Sequence, residues 1–359
     1  MRAAVWYGPG RENFRIESLP RPTCSAGGVV IRVRRVFFSA MHTRAILVGH
    51  ARHRGPVVFG RMLAGDLAEV GAGVGDDLAV GTRVTVNPES PCGGCFYCLR
   101  GMAGHCVEPV TLEPGGMADF VRVPAALVAG IHRLGDHVSY EEAAFAETLA
   151  CVLQGLEVAE IRPGDTVLIL GSGGVALCFL QLARLAGASR LLISVRHEPA
   201  GEVLSGLGAD RVMPSGDRLR QAVLEETRGY GADVVIEAAG TLETYAQALE
   251  LTRCGGTAVA FGGLPPGSRL PFEPNTVHYR SVRLVGSYRY RPEHFDEAIR
   301  LISTRQIDLR PVVTHTIDFD RLTTHAVDVQ QAPDCRALVV ATDPLPGPAV
   351  AVAAVDGRA

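Results

Sequence analysis

The chain of 359 residues changes its hydrophobic rhythm near residue 139. Before that point, RAAVWYG, GGVVIRVRRVFFS, AGDLAEVG, GTRVTVNP and ADFVRVP set apolar against polar residues at period two, between frequent Gly and Pro. That alternation predicts a β-rich domain. SYEEAAFAETLACVLQGLEVAE, residues 139–160, takes up helical spacing, and Ser139 with Glu142 forms a capping box at its start. From residue 165 strands and helices alternate. TVLIL and RLLISV are continuously apolar, as strands of a parallel sheet covered on both faces are. DVVIEAA, TAVAFGG and VRLVGSY read as further strands, with ALCFLQLARLAGA and LETYAQALELTRC as helices between them. This order predicts a doubly wound α/β domain. PEHFDEAIRLISTRQ reads as a late helix and RALVVATD as a closing strand. The last stretch, 343–359, is rich in Pro, Ala and Gly and is expected to be a disordered tail. There are no internal repeats.

Composition narrows the function classes. With 47% hydrophobic and 20% charged residues and a net charge of −3, the chain has no basic field for nucleic acid. No apolar run is long enough to span a bilayer, and MRAAVWYGPG lacks the apolar core of a signal peptide, so a cytoplasmic location is expected. All 35 basic residues are Arg. An Arg therefore carries weight only in an apolar or motif setting, and Arg61, inside PVVFGRMLAG, is in one. Arg52 and Arg54, with His50 and His53, fall in the polar run that precedes it.

TVLILGSGGVALCFL places Gly171, Gly173 and Ala176 in a G-x-G-x-x-A turn between a strand and a helix. Such a turn bends sharply, lets the backbone approach a pyrophosphate, and aims a helix N-terminus at the phosphates. Gly174 and Val175 belong to the same turn. The second strand ends at Val195, followed by Arg196 and His197, a cation suited to a 2′-phosphate; the alternative is that Arg196 is solvated and Glu198 takes the acidic role of an NAD site. The expected cofactor is NADP(H) in preference to NAD(H).

Cys92, Cys95, Cys98 and Cys106 are spaced C-x2-C-x2-C-x7-C. Four thiolates on one short lobe suit a tetrahedral Zn²⁺ that leaves no open position and so is structural. The other five Cys are scattered and read as small apolar residues.

Taken together, CGGCFYC, GMADFVRVP, EEAAFAETLAC, GDTVLILGSGGVA, GADVVIEAAG and GGTAVAFGG resemble, in order, the medium-chain dehydrogenase/reductase (zinc alcohol dehydrogenase) superfamily, from residue 1 to about 342. AETLAC is similar to the polyol and threonine dehydrogenase branch. The resemblance implies a GroES-like catalytic domain at 1–148 and 288–342, with a zinc lobe at about 88–110, and a Rossmann NADP-binding domain at 149–287. It also implies a homodimer or homotetramer, and adds Ala239, Gly262, Ser287 and Arg336 as cofactor-binding residues.

In one respect the chain departs from the family. Where relatives hold a second, catalytic zinc, the ligand Cys is replaced by Ser39 and the Gly-His-Glu turn by Gly60-Arg61-Met62. The proton-relay hydroxyl becomes Met41 and the residue beside it His42; Glu147 alone is retained. A guanidinium does not lose its proton and cannot coordinate Zn²⁺. One zinc per chain is therefore expected, with Ser39, His42, Arg61 and Glu147 as catalytic residues and His42 or Glu147 as proton donor. The implied function is metal-free, NADP(H)-dependent reduction of an activated C=C, iminium or carbonyl group in a small molecule, in specialised biosynthesis. The alternatives are a zinc-dependent polyol or amino-alcohol dehydrogenase with altered ligands and a non-redox cyclase or lyase.

Overall fold

The computed structural model describes residues 1–50, 53, 55–195 and 201–343, with backbone only at Gly201 and Glu202. Arg52, Arg54, Arg196, His197 and the tail from residue 344 lie outside the described residues. By their internal contacts the described residues form two compact units, those within 1–95, 106–147 and 313–343, and those within 96–105 and 148–312.

The first unit is β-rich. Its largest sheet runs Ile131–Arg133, Arg83–Val86, Leu63–Val70, Val29–Phe38, Leu338–Ala341 and His315–Asp318, and Phe120–Val123 also pairs with Val29–Phe38. Leu338–Ala341 and His315–Asp318 pair in parallel. Arg2–Trp6 pairs antiparallel with Phe14–Ser18 and with Val57–Val58 in a smaller sheet. Inward positions of these strands, among them Ile31, Phe38, Leu63, Leu67 and Trp6, form the core with Met117. This is the alternation seen in the sequence.

The second unit is a six-stranded parallel sheet in the order Arg211–Met213, Arg190–Ser194, Thr166–Leu170, Ala232–Glu237, Thr252–Ala260 and Arg283–Gly286. In chain order this is 3-2-1-4-5-6, the doubly wound arrangement that binds dinucleotides where the strand order reverses. The reversal lies between Thr166–Leu170 and Ala232–Glu237. The helix Gly174–Leu185 follows the first of these strands and buries Ala176, Leu177, Phe179 and Leu180.

Three features differ from the expectations. Ala40–Val48 is a helix inside the strand-rich region. The helical stretch at 139–160 is two helices, Tyr140–Ala144 and Ala146–Ala159, interrupted at Phe145, and its expected Ser139–Glu142 capping box is present. Residues 288–312, expected with the GroES-like domain, group instead with the parallel sheet. The helix Pro292–Ser303 belongs to that unit and has Phe295, Ala298, Ile299, Leu301 and Ile302 buried. Gln181 adds two bonds, its Nε2 donating to the Asp308 carbonyl at 3.0 Å and its Oε1 accepting the Asp308 N–H at 2.7 Å. Among the described residues, no helix is long and apolar enough to cross a membrane.

Candidate active site and cofactor cradle

Arg61 stands on the turn between Val57–Val58 and Leu63–Val70. That turn is pinned by backbone bonds from Gly116 to Gly60 (2.6 Å) and from Met117 to Phe59 (2.8 Å). Gly60 has φ of +107°, and a Cβ there would lie 2.4 Å from the Met117 nitrogen, so no other residue fits. Arg61 Nη1 lies 2.7 Å from Glu89 Oε2, and its Nε lies 3.8 Å from Glu147 Oε1. The Glu89 side chain is 9% exposed and that of Glu147 14%. The structure thus brings Arg61 and Glu147 together and adds Glu89. Sequence reasoning missed Glu89 because a single Glu next to the cysteine lobe belongs to no motif.

Ser39 and His42 serve a different purpose. Ser39 is the N-cap of Ala40–Val48, and His42 occupies the third helical position in a capping box. The Ser39 N–H donates to His42 Nδ1 at 3.0 Å, and the Ser39 hydroxyl lies 3.1 Å from the same nitrogen. Nδ1 is therefore an acceptor, and the neutral ring carries its proton on Nε2. His42 is 1% exposed and lies between the rings of Phe38 and Phe59 at centroid distances of 5.4 and 5.5 Å. Burial, and secondarily the charge of His50, pushes its pKa down to about 3. The expectation of His42 as a proton donor near neutral pH is corrected: the residue is buried, neutral and committed to starting a helix. Met41 beside it faces solvent. The His50 and His53 rings lie 4.7 Å apart, tilted by 34°.

In the parallel-sheet unit, most of the expected cofactor residues gather at the carboxyl ends of the strands. Gly171 follows Thr166–Leu170 with φ of +133°, and a Cβ there would press on Ala238 and Ala239 at 3.2–3.4 Å. Gly173 is the N-cap of Gly174–Leu185, and a Cβ there would meet nothing within 4 Å. Open space before a helix N-terminus is what a pyrophosphate needs, so these residues fit a dinucleotide. Gly174 and Ala176 are buried in the first turns of that helix, where Val175 also lies. Val195 is buried at the end of Arg190–Ser194. Ala239 and Gly262 follow the fourth and fifth strands. Ser287 follows the sixth, and its buried hydroxyl has no hydrogen-bond partner among the described residues. Arg336 belongs to the other unit, where its N–H donates to Thr314 Oγ1 at 2.9 Å. Arg196 and His197 lie outside the described residues.

In the cysteine lobe, the sulfurs of Cys92, Cys95, Cys98 and Cys106 lie within 4.8 Å of one another. The Cys92 N–H also donates to the Cys106 sulfur at 3.2 Å. Four thiols so placed form a donor set for one tetrahedral ion.

Comparison with known proteins places this geometry. Residues 25–133 match the alcohol dehydrogenase GroES-like domain, and 174–304 the zinc-binding dehydrogenase domain. The sorbitol dehydrogenase of Halalkalibacterium halodurans is 30% identical over 324 residues, covering 88% of this chain and 92% of that protein. The D-arabitol-phosphate dehydrogenase of Enterococcus avium is 28% identical over 321 residues, or 88% and 90% of the two chains. A zinc-binding dehydrogenase of Sinorhizobium meliloti 1021, solved bound to NADP, superposes with a TM-score of 0.85 at 29% identity over 95% of this chain and 98% of its own. The fold and site define a nicotinamide-dependent oxidoreductase. The chain belongs to the zinc-type alcohol dehydrogenase superfamily of medium-chain dehydrogenases/reductases, in its polyol-dehydrogenase-like branch.

Proposed function

We propose that this enzyme is an NADP(H)-dependent oxidoreductase whose reaction runs without a catalytic zinc, the positive charge being supplied by Arg61. The observation that carries the reading is the ion-pair cluster: Arg61 lies 2.7 Å from Glu89 and 3.8 Å from Glu147 on the turn where relatives hold a metal ligand. A guanidinium held this way donates hydrogen bonds in a fixed direction and stabilises negative charge that develops on a substrate oxygen. When bound, the nicotinamide supplies the hydride. Glu89 orients Arg61. Glu147 is the carboxyl beside the guanidinium that moves the proton. The chemistry suited to such a site is reduction of a group already polarised: a C=C conjugated to a carbonyl, an iminium, or an activated carbonyl of a small molecule, as in specialised biosynthesis.

We further propose that the Cys92, Cys95, Cys98 and Cys106 site holds one structural Zn²⁺, that the β-rich domain and the dinucleotide domain divide near residue 148, and that the enzyme works in the cytoplasm as a homodimer or homotetramer. Arg196 and His197, after the second strand of the parallel sheet, support NADP(H) over NAD(H), as does the NADP-bound relative.

A second reading is favoured by the relatives' names. The similar sorbitol and arabitol-phosphate dehydrogenases suggest a polyol substrate, with Ser39 and Glu147 contributing to a rebuilt metal site. Metal analysis of the purified enzyme separates the two. One zinc per chain, with turnover of an enone or iminium by NADPH, supports the first. Two zincs per chain, with polyol oxidation lost on chelation, would overturn it.

A further inference from the structure

We propose that Glu237 is a positioning residue for the nicotinamide half of the cofactor: it locks the loops after the fourth and fifth strands of the parallel sheet into the shape that receives it. The proposal rests on the cofactor reading above and is independent of the metal-free one.

Glu237 is the last residue of Ala232–Glu237 and is paired in register with Leu170, so it stands at the reversal of strand order beside the glycine turn. It is fully buried. One oxygen, Oε1, accepts three bonds: from the Ala239 N–H at 2.9 Å, the Gly240 N–H at 2.6 Å and the Thr244 hydroxyl at 2.7 Å. These bonds hold the loop that enters the helix Leu242–Leu251, whose N-terminus Thr241 and Thr244 cap. The backbone carbonyl of Glu237 accepts the N–H groups of Phe261 (3.3 Å) and Gly262 (3.0 Å) from the next loop. A Cβ on Gly262 would stand 2.5 Å from both Glu237 Oε2 and the Gly240 nitrogen, so the two loops touch across this carboxyl. The first loop also packs on Gly171 through Ala238 and Ala239.

A buried carboxyl is an expensive fastener. Burial raises its pKa against the pull of the donors around it, and Oε2 has no hydrogen-bond partner of its own among the described residues. A neutral side chain could close a turn at less cost. What the carboxyl adds is one acceptor strong enough to align three donors from two places on the chain. The loops so aligned follow the strands of the second mononucleotide half of the fold. The glycine turn and the first three strands serve the adenosine side.

The test is a pair of binding titrations, followed by fluorescence for the intact cofactor and by calorimetry for its fragment. The intact cofactor is whichever of NADPH and NADH the wild type binds more tightly. The fragment is the matching one without nicotinamide, 2′-phospho-ADP-ribose or ADP-ribose. Glu237→Gln keeps the volume and one acceptor oxygen. It is expected to raise Kd for the intact cofactor about tenfold while Kd for the fragment stays within about twofold. Equal weakening of both ligands, or weakening of neither, would reduce Glu237 to general scaffolding and overturn the proposal. Should Glu237→Gln fail to fold, Thr244→Val removes one donor, and the same split is expected at about threefold. A wild type that binds neither nucleotide would overturn the cofactor reading, and this inference with it.

Discussion

Arg61 and Glu89 form an ion pair at 2.7 Å in which the acidic partner is almost wholly buried. A guanidinium tied to a buried carboxylate does not swing freely, so its direction is set before any substrate arrives. Arg61→Gln should lower kcat/KM on the true substrate about 100-fold by removing that preset charge. It should also cost about 1–3 kcal/mol of stability, because the pair with Glu89 is lost. Steady-state kinetics and urea unfolding measure the two effects. Unchanged kinetics with lowered stability would make Arg61 a packing residue.

Glu89→Gln separates direction from charge. The guanidinium remains, but its tether is weakened. A fall in kcat of about tenfold with KM little changed is expected if Glu89 aims Arg61 at the transition state. A change confined to the unfolding midpoint would count against that role.

The cysteine lobe yields a stoichiometric expectation. Elemental analysis should find one zinc per chain, and Cys95→Ser should lose it. Loss of the metal should unfold the lobe, because a donor set of this kind folds around its ion. The readout is a lower thermal midpoint in the variant, and in the wild type after prolonged chelation.

For His42 the expectation concerns pH and stability. Its pKa is about 3 in the folded chain against an ordinary 6.5, so the unfolded chain takes up the proton first. Its contribution is fully present above pH 6.5 and is lost as pH falls from there toward 3, on the order of a few kcal/mol in all. His42→Asn should flatten the pH dependence of unfolding free energy between pH 4.5 and 6.5. The pH–activity profile near neutrality should keep its shape. A wild-type inflection near pH 6.5 that disappears in this variant would restore His42 as a titrating group.

Cofactor choice is open to direct measurement. NADPH should bind at least about tenfold more tightly than NADH, and Arg196→Ala should erase most of the difference, since a guanidinium beside a 2′-phosphate makes a charge-assisted bond. Equal affinities in the wild type would refute the assignment.

Much of this was legible in the sequence, and the limits have physical causes. The parallel strands were readable because a strand covered on both faces is apolar throughout, as TVLIL is. The glycine turn and the four-cysteine lobe carry local spacing that long-range context does not alter. The helix Ala40–Val48 escaped because its cap is a Ser–His pair rather than the usual Ser–Glu, and the apolar strand before it masks the change of period. Glu89 escaped because ion pairs between residues 28 apart in sequence leave no periodic trace. His42 was misjudged for a related reason: its composition suggests a proton carrier, but only its burial shows that it stays neutral.

The clasp between Gln181 and both backbone groups of Asp308 bears on how the chain can be cut. A fragment ending at residue 287, where the last strand of the parallel sheet has just finished, would strand that amide and remove the helix that carries the buried Phe295 and Ile299. The shortest excised piece that keeps both the nucleotide-binding sheet and this clasp must run past residue 308.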